Sequence, residues 1–121
     1  MVAPILAAGQ EVQLHLHSFW HDVANGRRDN ARYELTAFAP EEQHDLVRIA
    51  RDLLVEAGAP PPIAFRSGSY AADEATLAAL PGLGIRYDSS HNGGHHPWPS
   101  ALPLAPDQIA PVALNGLVEV P

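Results

Sequence analysis

The sequence predicts an α/β domain of parallel strands alternating with helices, amounting to part of a (β/α) barrel. Three observations carry this reading. The stretch from Glu11 to His17 alternates: Val12, Leu14 and Leu16 point one way, and Glu11, Gln13, His15 and His17 the other, the period of a half-buried strand. Leu46, Val47, Ala50, Leu53, Leu54 and Ala57 recur at the spacing of one buried helix face. Polar residues stand at or just after the ends of three separate candidate strands: His15 and His17, Arg66 and Tyr70, and Asp88. Ligand chemistry in parallel α/β folds collects at such ends.

The elements follow in order. "MVAPILAAGQ" is apolar but carries no Lys or Arg, so it reads as the end of a helix rather than a signal peptide. After the first strand, "NGRRDN" has turn and loop chemistry. Pro40 stands where a helix would start, with Glu41 and Glu42 suited to the positive end of the helix dipole. Gly58 is the natural stop. Three prolines then forbid helix, and Ile63 to Arg66 read as a short buried strand. Asp73 can cap a short helix running to Leu80, ended by Pro81 and Gly82. Ile85 to Asp88 read as another strand, His91 to Pro111 as irregular, and Leu117 to Val120 as a last strand. About four strands and two or three helices make roughly half of a typical barrel.

Composition sets further bounds. With 121 residues the chain is one domain's worth at most. It has no cysteine, which excludes disulfides and thiolate zinc sites. A formal net charge of -7 disfavours nucleic acid or an anionic membrane as partner. No apolar run is long enough for a transmembrane helix. With no signal-peptide pattern, the cytoplasm is the expected location.

The densest chemistry is in "HLHSFWHD", where His15, His17 and His21 fall within seven positions. Two histidines at i and i+2 on a strand share a face, roughly 6.5–7 Å apart at the backbone, and their imidazoles can converge on one ion. Two at i and i+4 can do so if the segment turns helically. Both spacings occur here. Zinc or another borderline divalent ion suits imidazole. The alternative is that these histidines face water or cap a loop. No nearby carboxylate is clearly placed to complete a site; Asp22 is a candidate.

"GQEVQLHLHSFW" resembles the stretch bearing the metal-binding histidines of polysaccharide deacetylases, the NodB-homology group of carbohydrate esterases. The similarity is to the subgroup associated with lipopolysaccharide biosynthesis. "FRSGSYAADEATLAALPGLGIRYDSSHN" resembles the next two motifs of that family. The resemblance covers about Pro4 to Asn92. It implies a deformed (β/α) barrel that uses a divalent metal, zinc, to remove acetyl groups from a polysaccharide or amino-sugar substrate. Aligned on "GxExxxH", His15 is the first metal ligand and the second falls on Phe19, which cannot bind metal. Aligned on "HSFWH", the ligands are His17 and His21. The subgroup pattern and the strand geometry favour His15 and His17, with His21 as a third candidate.

The same resemblance makes Arg66 the arginine that orients a catalytic aspartate and Tyr70 the residue whose backbone N–H helps hold the oxyanion. Asp88 and Ser90 match a groove-lining Asp-x-Ser element, and Trp20 is the aromatic that follows the histidines, a substrate-binding candidate. The family's proline in this element is absent; Gly68 stands nearby. His91, His95 and His96 read as loop residues. The family's early aspartate pair and its late Leu-x-His element have no counterpart here. The expectation is therefore an incomplete catalytic domain, with negligible deacetylase activity of this chain alone. Two other readings are a non-catalytic segment that binds metal or sugar, and a related hydrolase of C–N bonds in non-sugar amides.

Overall fold

The computed structural model describes residues 2–121. It is an α/β fold built on one five-stranded sheet. The strands are β1 (Leu14–Leu16), β2 (Ala64–Ser67), β3 (Tyr87–Asp88), β4 (Val112–Leu114) and β5 (Leu117–Glu119), in the order β1-β2-β3-β5-β4. β1, β2, β3 and β5 are parallel, and β4 runs antiparallel to β5. The helices are α1 (Val2–Ala7), α2 (Phe19–Ala24), α3 (Pro40–Glu56) and α4 (Glu74–Ala79).

The long helix falls where its apolar period placed it. Pro40 occupies its first turn, and the Glu42 carboxylate reaches back to accept the Ala39 N–H at 2.9 Å. In α4, Asp73 and Thr76 cap one another: the Thr76 N–H donates to Asp73 at 3.0 Å, and the Asp73 N–H donates to the Thr76 hydroxyl at 3.2 Å. The buried Gln43 side chain ties the two helices together, accepting the Thr76 hydroxyl at 2.7 Å and donating to the Phe38 carbonyl at 3.1 Å. Between and beneath these helices lies the core, which includes Leu35, Phe38, Leu46, Val47, Leu77, Leu80 and Ile85.

Two differences from the sequence expectation have a local physical reason. The first strand pairs only over Leu14–Leu16, not from Glu11. Gln13 is the reason: its Oε1 accepts the N–H groups of Ile63 and Ala64, both at 3.0 Å, in place of backbone acceptors. Second, the last expected strand is one arm of a hairpin, whose other arm, β4, was not expected. Asn115 and Gly116 both take positive φ, 49° and 78°, and turn β4 into β5. An Asn-Gly pair between apolar residues is a hairpin signal in its own right.

Register fixes what each face carries. Leu14, Phe65, Asp88 and Glu119 are successive partners across four strands, so their side chains share one face. All four are buried. His15 and Arg66 are partners on the opposite face, and both are exposed.

Candidate functional site

His15 ends the row facing away from the core, and His17 lies two residues on, past the end of β1. Their Nε2 atoms are 3.0 Å apart, with the rings nearly perpendicular. The His15 Nδ1 lies 2.8 Å from the Arg66 backbone carbonyl. A carbonyl only accepts, so Nδ1 carries the proton and donates. In the neutral ring Nε2 then holds a free lone pair. This is the tautomer a metal-ligating histidine adopts, its other nitrogen donating to a carbonyl. Two imidazole nitrogens on one zinc, each about 2.0–2.1 Å from it, stand roughly 3.3 Å apart. The pair therefore fits a borderline divalent ion. In the absence of an ion, His17 Nε2–H donates to His15 Nε2.

Backbone geometry builds this pair. A Cβ added at Gly68 would lie 2.7 Å from His17 Nδ1 and 2.8 Å from the Leu16 carbonyl oxygen. Gly68 thus makes room for the His17 ring. Immediately after it, Ser69 and Tyr70 both take positive φ, 55° and 58°. Such conformations cost on the order of 1–3 kcal/mol each and cluster at functional loops.

His21 is not brought to the pair. It sits in α2 and its ring lies 3.3 Å from the Asn25 amide. Among the described residues no group of three or more His, Cys, Asp or Glu side chains is placed to hold one metal ion. Asp22 is also committed elsewhere. It is buried, and the Arg32 guanidinium grips it through Nε and Nη2 at 2.9 and 3.0 Å. The side-chain and backbone hydrogen bonds from Arg32 hold the Asp22 carboxyl well below the usual carboxylate range. Arg32 also reaches Glu42 at 3.0 Å and lies 3.7 Å over the Phe38 ring, so it staples α2 to α3.

Aromatic surface flanks the histidines. Phe19 stacks on Tyr33 with centroids 5.1 Å apart, and Trp20 packs against Phe19 at 4.7 Å. Trp20 is 64% exposed and Tyr33 66%. Flat, exposed rings of this kind suit the apolar face of a sugar.

Arg66 lines a cleft of about 510 Å³, together with Tyr70, Ser89 and Asn92. Its guanidinium sits 5.5 Å from the Tyr70 ring centroid and makes no ion pair among the described residues. Asp88 and Ser90 lie on the other side of the sheet. Ser90 is fully buried: its hydroxyl donates to Asp88 Oδ1 at 2.7 Å and accepts the Ser67 N–H at 2.9 Å. Burial and the neighbouring Glu119 push the Asp88 carboxyl up to about 8. The structure therefore joins His15, His17 and Arg66 at the ends of β1 and β2, while the side chains of Asp88 and Ser90 face inward beneath them.

Sequence reasoning missed Glu119, Arg32 and the purpose of Gly68. A lone acid inside the apolar run "LVEV" was the available signal for Glu119. Among the described residues, no helix is long and apolar enough to cross a membrane. No family model, curated protein or solved structure matches this chain.

Proposed function

We propose that this chain is part of a polysaccharide deacetylase-type (β/α) barrel, a metal-dependent hydrolase that removes acetyl groups from a polysaccharide or amino sugar. The observation that carries this reading is the His15–His17 pair, with its Nε2 atoms 3.0 Å apart and His15 fixed as a ligand tautomer by the Arg66 carbonyl. His15 and His17 would hold the ion, zinc being the best match to two imidazoles. When bound, such an ion polarises an acetyl carbonyl and acidifies its own water. The chain's own residues have other tasks. Trp20 and Tyr33 offer a stacking surface to a sugar ring, and Arg66 presents an unpaired guanidinium fork suited to a carboxylate. The positive-φ turn at Ser69 and Tyr70 shapes the backbone beside the histidines.

Calorimetric titration with zinc tests the site. The expected result is one ion per chain, with affinity reduced at least tenfold in His15→Ala and in His17→Ala but little changed in His21→Ala. No zinc binding, or binding indifferent to both substitutions, would remove the basis of the reading.

A second reading, a non-catalytic segment that binds metal or sugar, is favoured by the lack of a third clustered ligand among the described residues. Acetate release from an acetylated amino-sugar oligomer separates the two. Release with zinc, abolished in His15→Ala, excludes the binding segment and overturns the expectation of negligible activity for this chain alone.

A further inference from the structure

Asp88 and Glu119 are registered partners on the parallel strands β3 and β5, and both point into the protein. They are 1% and 0% exposed. Each has one oxygen satisfied. Asp88 Oδ1 accepts the Ser90 hydroxyl at 2.7 Å, and Glu119 Oε1 accepts the His91 N–H at 2.8 Å. Asp88 Oδ2 and Glu119 Oε2 are buried with no donor, on side chains that strand register sets side by side.

An ionised carboxylate only accepts. Two ionised groups here would strand both oxygens and set two negative charges together in a site removed from water. One proton resolves both problems, because it makes one carboxyl a donor to the other. No cation does this work instead. In the same row, β2 contributes Phe65 and β4 contributes Val112. Arg66 projects from the opposite face of β2. His91, whose N–H bonds Glu119, is the other buried titratable residue at this end of the sheet, and both its ring nitrogens lack partners.

We propose that Asp88 and Glu119 share a single proton as a buried carboxyl pair, and that Glu119 is thereby a positioning residue for the histidine pair. The connection runs through hydrogen bonds. Glu119 holds Asp88, Asp88 accepts from Ser90, and Ser90 accepts the N–H of Ser67. Ser67 follows Arg66, whose carbonyl fixes the His15 ring. The positioning role rests on the metal-site reading above; the shared proton does not.

The test has two arms on the 121-residue chain. Carbon-13 NMR of the side-chain carboxyls, followed from pH 3 to 9, reads the proton directly in the unsubstituted protein. One carboxyl of the pair stays protonated well above the ordinary carboxylate range. Ordinary titration of both groups would overturn the proposal. Zinc titration reads the positioning. In Glu119→Gln the amide N–H replaces the shared proton, so zinc affinity stays within about threefold of the unsubstituted chain. Glu119→Ala weakens it by about tenfold, the scale set by other supports behind metal ligands. Equal affinity in Glu119→Ala and the unsubstituted chain would overturn the positioning role, and so would a Glu119→Gln chain that fails to fold. If the unsubstituted chain binds no zinc, the metal-site reading fails and the positioning role with it. The carboxyl titration still decides the pair.

Discussion

Replacing Gly68 with Ala isolates the fit between β2 and the histidine pair. Gly68 does not have positive φ, so Ala meets no backbone penalty there. Its Cβ would stand 2.7 Å from His17 Nδ1, 3.0 Å from His17 Cε1 and 2.8 Å from the Leu16 carbonyl oxygen. Ordinary contacts of this kind sit near 3.5 Å or beyond, so the ring and the strand must each retreat by roughly 0.7 Å. The ring can turn away, but the Leu16 carbonyl belongs to β1 and cannot move without the strand. Overpacking of this kind costs about 1–3 kcal/mol. Against it, Gly to Ala stiffens the unfolded chain and returns about 0.4–1 kcal/mol. The net expectation is a loss of about 1–2 kcal/mol, read as a lowered urea midpoint at unchanged slope, together with weakened zinc binding. Gly82→Ala is the control: it also lacks positive φ, and its Cβ would meet nothing within 4 Å. It should keep only the unfolded-state gain, about 0.4–1 kcal/mol of added stability. If Gly68→Ala matched Gly82→Ala in both stability and zinc affinity, the steric account of the pair would be wrong.

Other perturbations follow from the same structure. The Asp88 carboxyl is raised from 3.8 to about 8, by burial first and Glu119 second. The folded chain therefore keeps a proton that the unfolded chain releases. This contribution is full below about pH 4 and is lost as pH rises toward 8, with a slope of at most about 1.4 kcal/mol per pH unit. Urea midpoints measured across that range should fall in the unsubstituted chain and stay flatter in Asp88→Asn, whose amide replaces the proton. Asp22 runs the other way. Its lowered carboxyl stabilises the fold above the unfolded value near 4, and that stability is lost as pH falls. Acid unfolding followed by circular dichroism should show Asp22→Asn less stable than the unsubstituted chain at neutral pH and less sensitive to acid. Leu77 is fully buried in the core, so Leu77→Ala should cost about 2–5 kcal/mol by chemical denaturation. Trp20→Ala removes a ring that is 64% exposed and should leave stability nearly unchanged while weakening binding of an acetylated amino-sugar oligomer.

What the sequence by itself determined is the local structure and the pairing of two histidines. The apolar spacing and Pro40 marked α3, Asp73 marked the start of α4, and the alternation around Leu14 and Leu16 set His15 and His17 on one side of a strand. These are short-range effects: helix and strand periods and caps act within a few residues, so they can be read along the chain. The Asn115–Gly116 turn was equally local and equally readable. Only the tertiary structure decided which polar residues meet. Arg66 and Asp88 both stand near strand ends, yet register puts Arg66 beside His15 and turns Asp88 into the core against Glu119. Asp22 stands one residue from His21, yet Arg32 and not a metal claims it. Strand register reverses a side chain with a shift of one residue, and it depends on partners that can be 50 positions apart, as Gln13 and Ile63 are. No spacing along the chain carries that information.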